Sequence, residues 1–564
     1  MNCRSPKITR RDLIKGAVVV STVAGGSLKR SLGMVYAASA AHRQKPNILF
    51  LMSDQHRADC LGCAGNKIIR TPHLDSIAAD GVVFSSAYSS TPSCTPARAA
   101  ILTGLSPWHH GMIGYGRIAE KYPFELPAAL RDAGYYLYGI GKMHWHPQRL
   151  LRGYHKILLD ESGRAETPDF VSDYRQWFKE QAPDLNPDAT GIGWNDYRAK
   201  AYVLPERLHP TKWMGDRAVE FIEQYDRAEP FMLKVSFARP HSPYDPPQRF
   251  MDMYDENDMP APAVGDWAAA YAPHDEPPNP SLWHGDLGVE QARKSRRAYY
   301  GSVTFIDEQI GRILTALKKR GLYDNTLIIF FSDHGDMLGD HHLWRKTYAY
   351  EGSAKIPMLL RWPTRRANDG TSRQEAMGEA MGIDHQRGKT LPQPVELRDV
   401  LPTFLDAALS AAEGRQTSDE GRATRDDSLI VHRPSSSRPS FLDGKSMLEL
   451  VRGNTKGWRP FIDLEHSMCY NQDHWNALTD GKFKYIYYAF DGREHLFDLA
   501  TDPRELHNLA AEPAHKSTLL QWRQRMVEHL TERGEPFIRD GKLTIRKERL
   551  LYSPHFPKKP AAKA

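Results

Sequence analysis

Cys94 stands in SCTPAR (93–98), a polar, turn-forming stretch that runs straight into AAILTG. Structural cysteines usually sit among apolar neighbours, whereas this one is flanked by Ser93, Thr95 and Pro96, with Arg98 one helical turn on, a setting suited to a reactive group. Two apolar runs of strand length end on acids: PNILFLMS (46–53) stops at Asp54-Gln55, and TLIIFFS (326–332) at Asp333-His334. Two carboxylates, an amide and an imidazole delivered from two strands suit a divalent cation, and a mainly oxygen donor set points to Ca2+ or Mg2+ over Zn2+. Each Asp alone is also what a helix cap after a strand requires.

These residues need a scaffold that brings distant strand ends together. TPHLDSIAADG (71–81) reads as an amphipathic helix, ARAAILTG as a helix start and ELPAALRDAGY as another helix. YLYGIGKMHWHP is a strand whose end carries Lys142, His144 and His146. DRAVEFIEQ (216–224) is a helix before the buried strand PFMLKVSFARP, which delivers Arg239 and His241 into a Pro-rich loop. Helical spacing predicts a long helix from Arg296 to about Gly321. Alternating strands and helices with polar strand ends define an α/β fold, a large sheet sandwiched by helices with its site at the carboxyl edge. The polar, Ser/Arg-rich stretch 410–440 reads as a surface insertion. From about residue 457 the strand-like runs, with a turn at Asp480-Gly481, predict a smaller α+β C-terminal subdomain, so the expected catalytic unit is 41–456 and the second unit 457–564.

The first forty residues differ in kind. Arg10-Arg11 precedes the apolar run GAVVVSTVAGGSL, and the segment closes on Ala38-Ser39-Ala40, a small-x-small peptidase site; the pattern is that of a twin-arginine export signal. The apolar run is too short for a permanent membrane anchor. Export through the twin-arginine translocase predicts a periplasmic or secreted protein. The formal net charge of +6 in this 564-residue chain belongs to that signal, which carries Arg4, Lys7, Arg10, Arg11, Lys15, Lys29 and Arg30 against Asp12. The remainder is neutral, with no basic stripe for nucleic acid. Cys60, Cys63, Cys94 and Cys469 are too sparse for a disulfide scaffold; packing or a single bridge is expected of Cys60 and Cys63 rather than redox chemistry.

CTPAR fits C-x-P-x-R, and with Pro and Arg each near ~5% of average usage a given cysteine meets both requirements roughly one time in 400. Extended by AAILTG, the segment resembles the signature of the type I sulfatases, within the alkaline-phosphatase-like superfamily, in which the cysteine is oxidised to formylglycine. The resemblance spans most of 46–410 and returns at HLFDLATDPRELHNLA. It implies that Cys94 is the formylglycine precursor, installed by a formylglycine-generating maturase, and that Arg98 steadies it. Asp54, Gln55, Asp333 and His334, with the modified residue, would hold Ca2+, with Mg2+ or Mn2+ as substitutes. Lys142 and His144 match the family's Gly-Lys-x-His element, His241 its downstream histidine and Lys346 its second lysine.

The chemistry implied is hydrolysis of a small-molecule or glycan sulfate ester. An aldehyde hydrate carries two hydroxyls on one carbon: one attacks sulfur, and the other later loses its proton so that sulfate leaves and the aldehyde returns. The cation and both lysines would neutralise sulfate oxygens, His144 would work on the hydrate proton and His241 would protonate the leaving alcohol. Singly, Lys142 and Lys346 look like surface lysines, His241 like a loop residue and Arg98 like a helix-surface charge; the constellation decides. Asp54-Gln55 and Asp333-His334 depart from the commoner Asp-Asp and Asp-Asn pairs and resemble choline sulfatase, phosphonate monoester hydrolase and iduronate sulfatase relatives. Phosphonate monoester or phosphodiester hydrolysis is therefore the alternative activity, and a non-catalytic glycan-binding relative the alternative class. Trp108, His109, His110, Trp145, His146, Arg239, Tyr244, Asp340, His341 and Arg345 lie beside the matched residues, where packing or loop fixation competes with substrate contact.

Overall fold

The computed structural model describes residues 45–364, 383–409, 441–467 and 474–557. The export-signal segment 1–40, the expected insertion 410–440 and Cys469 lie outside the described residues.

In chain order the strands of the larger unit are β1 (Asn47–Asp54), β2 (Val82–Phe84), β3 (Ala87–Tyr88), β4 (Tyr136–Gly141), β5 (Lys156–Leu159), β6 (Phe231–Pro240), β7 (Thr326–Ser332), β8 (Met358–Arg361), β9 (Lys389–Leu391) and β10 (Val395–Glu396). Eight of them form one mixed sheet in the order β5-β4-β6-β1-β7-β8-β2-β9, while β3 and β10 make a two-residue parallel pair. From β5 to β7 the pairing is parallel; β8 is antiparallel to both of its neighbours. Helices cover both faces, which is why β1 reads as an unbroken apolar run. Ile48, Phe50 and Met52 point to the helices Cys94–Thr103, Leu126–Asp132 and Val400–Leu409. Leu49 and Leu51 point to Pro72–Ala79, Pro210–Gln224 and Gly288–Lys319.

The parallel strands deliver the chemistry. Asp54 ends β1, Lys142 follows β4, His241 follows β6 and Asp333 follows β7, all at one carboxyl edge. All ten residues of the helix Cys94–Thr103 are buried; its alanines let it lie against the sheet, and Gly104, at φ 69°, closes it in the left-handed region.

Two helices begin earlier than periodicity predicts. Gly288–Lys319 starts two turns before Arg296, because Ala292 and Ser295, small residues that carry little apolar signal, are buried. Pro210–Gln224 starts at a proline in the first turn, behind a His209 cap whose Nδ1 accepts from the Thr211 N–H.

The second sheet is an antiparallel meander of β11 (Ile462–Ser467), β12 (His474–Thr479), β13 (Phe483–Tyr488) and β14 (Glu494–Asp498), with Gly481 at φ 83° in the β12–β13 turn. Leu478, Tyr485 and Leu496 on one face pack with Trp522, Met526 and Leu530 of the helix Lys516–Leu530 and with Trp108 of the larger unit. Ile462, Trp475 and Phe497 on the other meet Tyr88 and Tyr350. The small sheet is thus buried on both sides. Cys60, Cys63 and Cys94 are free thiols; Cys60 packs in an apolar cluster and Cys63 borders another, so packing is the role the structure shows for that pair. Among the described residues no helix is long and apolar enough to cross a membrane.

Candidate active site

Cys94 opens its helix at the carboxyl edge and is itself buried. Its Sγ lies 3.2 Å from His334 Nε2 and 3.7 Å from both Asp54 Oδ1 and Lys142 Nζ. Ligand atoms of Asp54, Cys94, Asp333 and His334 all fall within 4.8 Å of one another, and all four residues are buried. Burial and Asp54 push the thiol up, but Lys142, Lys346 and His334 outweigh them and hold it below its ordinary range.

Arg98 lies one turn along the same helix and ties two strand ends together. It donates from Nε to Asp333 Oδ2 at 3.0 Å, from Nη2 to Asp54 Oδ2 at 3.3 Å, and from Nη1 to the Lys142 carbonyl at 2.5 Å. Lys142 Nζ meets Asp54 Oδ2 at 2.5 Å. Burial alone would favour a neutral Asp54; Lys142, with His334 and Arg98, instead keeps it ionised, well below the usual carboxylate range. His334 Nδ1 lies 2.9 Å from the Gly335 carbonyl, which fixes the N–H there and leaves Nε2 as the end facing Cys94. Two carboxylates and one imidazole, all buried and within reach of one another, fit a divalent ion.

Gln55 adopts φ 66°, and its backbone N–H donates to Asp333 Oδ1 at 3.2 Å. Its side-chain amide is engaged elsewhere: Oε1 accepts from Lys346 Nζ at 2.7 Å and Nε2 donates to Asp336. Lys346 Nζ also lies 2.5 Å from His241 Nε2. His241 Nδ1 donates to the Ser242 carbonyl at 2.8 Å, so Nε2 carries the lone pair that receives the lysine. Burial, reinforced by Lys346, pushes the His241 imidazolium well below its usual range.

His144 sits at φ 59° with Nε2 3.3 Å from the Tyr115 hydroxyl, while its buried Nδ1 has no hydrogen-bond partner among the described residues. Burial, then Arg164, Lys142 and Arg98, push it well below the ordinary histidine range, so it is an uncharged base. The Met143 and His144 N–H groups both donate to Glu161 Oε1, at 3.0 and 2.9 Å.

The site includes residues that motif reading does not reach. Trp194 stacks on His241 with centroids 3.9 Å apart and planes at 24°, and Lys142 Nζ lies 4.6 Å from the Trp194 centroid. Asn195, at φ 67°, brings Oδ1 to 3.4 Å from Lys346 Nζ. Asp336, which accepts from Gln55 and from the Tyr244 hydroxyl, lies only two residues beyond His334, a spacing that could have flagged it. GIGWN (191–195) carries no comparable signal beyond a tryptophan between turn residues.

Most of the flanking candidates have structural partners instead. Trp108 and Trp145 are core residues; His109 bridges Asp443 and Glu532; His146 pairs with Glu166; Arg239 pairs with Asp245; Asp340 pairs with Arg296 and Arg57; and His341 Nδ1 accepts from the Gly265 N–H. His110 Nδ1 accepts from the Met112 N–H, and Arg345 lies 3.5 Å from the Trp283 centroid.

A mixed sheet with acids and bases gathered at one carboxyl edge, and a small antiparallel sheet behind it, is an alkaline-phosphatase-like fold. The phosphonate monoester hydrolase of Agrobacterium radiobacter shares the fold with a TM-score of 0.67 at 24% identity, over 86% of this chain and 96% of that one. The sulfatase family model matches residues 46–410, so the chain belongs to the sulfatase family and is a sulfuric ester hydrolase. An arylsulfatase of Clostridium perfringens is 35% identical over 512 residues, 88% of this chain and 97% of the relative. A choline-sulfatase of Rhizobium meliloti is 29% identical over 510 residues, 86% and 87% of the two chains.

Proposed function

We propose that this enzyme hydrolyses a sulfate monoester through a formylglycine made from Cys94, with a divalent cation, Ca2+ or in its place Mg2+ or Mn2+. The observation that carries the reading is Cys94 itself, buried at a helix start with His334 and Lys142 directed at its sulfur and two carboxylates beside it. Asp54, Asp333, His334 and residue 94 would hold the cation. When in place, the cation would supply positive charge to sulfate oxygens, and the hydrate formed by adding water to the formylglycine aldehyde would supply the attacking hydroxyl.

The chain's own residues do the rest. Lys142 beside residue 94 and Lys346 beside His241 place two ammonium groups where sulfate oxygens would lie. His144, uncharged and with Nδ1 unpartnered, accepts a proton from the nucleophile's side. His241 receives a hydrogen bond from Lys346, so this pair holds the proton destined for the leaving alcohol. The kinship with the Clostridium perfringens arylsulfatase favours an aryl alcohol over a carbohydrate one.

The reading extends to the cell. Arg10-Arg11, the apolar run and Ala38-Ser39-Ala40 support export through the twin-arginine translocase to the periplasm or beyond, after a maturase has acted on Cys94.

The test is the mass of the peptide containing residue 94, from protein made in its native host, paired with 4-nitrophenyl sulfate turnover before and after chelation. The expected peptide is about 18 Da lighter than the thiol form, with turnover that chelation abolishes. Full turnover from an unmodified thiol would overturn the proposal.

A further inference from the structure

Trp194 belongs to none of the motifs, yet it touches two of the groups that must act on the ester. Its ring lies face to face with His241 at 3.9 Å, and Lys142 Nζ stands 4.6 Å from its centroid. The backbone beneath it is fixed. Ser242 Oγ lies 2.7 Å from the Asp196 carbonyl and 3.1 Å from the Gly193 carbonyl, its single proton shared between them, bracketing Trp194 and Asn195. Ser242 is also the residue whose own carbonyl receives His241 Nδ1–H at 2.8 Å. The contacts close a ring: His241 bonds to Ser242, Ser242 bonds to both flanks of the Trp194 loop, and Trp194 returns to the face of His241.

This ring holds the imidazole at both nitrogens and on one face. Nδ1 is fixed by Ser242, Nε2 faces Lys346, and the indole blocks rotation of the ring plane. Asn195 extends the device to the second cation. It holds φ 67°, a region that costs a non-glycine residue free energy, with Oδ1 3.4 Å from Lys346 Nζ. One loop thereby braces both members of the His241–Lys346 pair. Neither Trp194 nor Asn195 exchanges a proton with substrate in this arrangement.

We propose that Trp194 is a positioning residue for the leaving-group end of the site: it holds the His241–Lys346 pair in line with the departing oxygen and so sets how poor a leaving group the enzyme can expel. The inference rests on the assignment of His241 to the leaving alcohol. Proton donation matters little when the alcohol is acidic and much when it is not. Misplacing the donor must therefore penalise poor leaving groups selectively, whereas general damage to the fold would penalise all esters alike.

The experiment compares 4-nitrophenyl sulfate with phenyl sulfate, whose phenol is the poorer leaving group, and the same two alcohols as phenylphosphonate monoesters, in wild type, Trp194→Ala, Trp194→Phe and Ser242→Ala. In Trp194→Ala, kcat/KM for the phenyl ester is expected to fall by about tenfold more than for the 4-nitrophenyl ester, a part of the roughly 100-fold or more that a general acid contributes, because the donor is displaced and not removed. Ser242→Ala, which keeps the indole but frees its loop, should show a smaller difference of the same sign. Trp194→Phe, which keeps a flat ring, should recover most of it. Equal losses on both esters, or none, in Trp194→Ala and Ser242→Ala would overturn the proposal. A wild type that cleaves the phosphonate pair but not the sulfate pair would sink the sulfate reading, and the phenyl to 4-nitrophenyl comparison on the phosphonates would still decide the role of Trp194.

Discussion

Arg98 and Asp333 meet across 3.0 Å, guanidinium Nε to carboxylate Oδ2, with neither side chain open to solvent. The same guanidinium reaches Asp54, so a single cation offsets carboxylates from two neighbouring strands. Arg98→Met would leave both acids short of compensation, and breaking a buried pair of this kind costs about 3–5 kcal/mol. Arg98→Lys keeps the charge but loses the planar fork, and should cost less. Urea unfolding is expected to rank wild type above Arg98→Lys above Arg98→Met. Added Ca2+ should narrow the gap, because a bound cation replaces part of the missing positive charge.

Removing the proposed cation should destabilise the protein even where turnover is not measured. A ligand that binds only the folded state adds stability by mass action. With chelator present the thermal midpoint is expected to fall, and Ca2+ titrated back should restore it. Asp54→Asn removes one of the clustered donors and should abolish that response. A midpoint indifferent to Ca2+ in the wild type would contradict a cation at this edge.

The strand-ending acids, Cys94, Arg98, Lys142, His144, His241 and Lys346 could be read from the sequence because each sits in a short local pattern, an apolar run with a polar stop or a spaced motif. The same patterns exposed the layered sheet, since β1 and β7 are buried on both faces and contain little but apolar residues. Trp194, Asn195 and Glu161 were not legible. Their roles depend on loops that meet the site only after the sheet closes: Asn195 lies 151 residues from Lys346. A lone Trp among glycines and a lone acid after a strand each have many ordinary explanations. The small sheet was visible as strands, but not its burial against Trp108 and Tyr350, because that packing joins residues far apart in the chain.

Glu161 offers a second test of how the site is held. One carboxylate oxygen accepts both the Met143 and the His144 N–H, and His144 sits in the left-handed region, which costs a residue with a side chain roughly 1–2 kcal/mol. Glu161→Gln retains an acceptor and should keep most of the rate. Glu161→Ala should lower kcat by about tenfold, the equivalent of ~1.4 kcal/mol, with KM for 4-nitrophenyl sulfate little changed, because the role proposed for His144 is at the nucleophile rather than in substrate binding. Steady-state kinetics on both variants decide it; a rise in KM without loss of kcat would place Glu161 in binding instead.

Lys234 yields a prediction about stability and pH. It lies mid-strand in β6 with Phe50 at 5.0 Å and Trp145 at 5.7 Å from its ammonium, and burial, with Arg98 adding to it, pushes its pKa down to about 7. The unfolded chain holds the lysine proton up to about pH 10.5 while the folded chain releases it above about 7, so across that window the unfolded state binds more protons and stability rises with pH. Below about pH 7 the folded state carries the full cost of a buried charge, on the order of 5 kcal/mol at about 1.4 kcal/mol per pKa unit. Lys234→Met, of similar shape and without the charge, should therefore raise the urea midpoint most at pH 6 and progressively less toward pH 10. A stabilisation that is flat across that range, or a destabilisation at pH 6, would show that the amine is not held neutral in the fold.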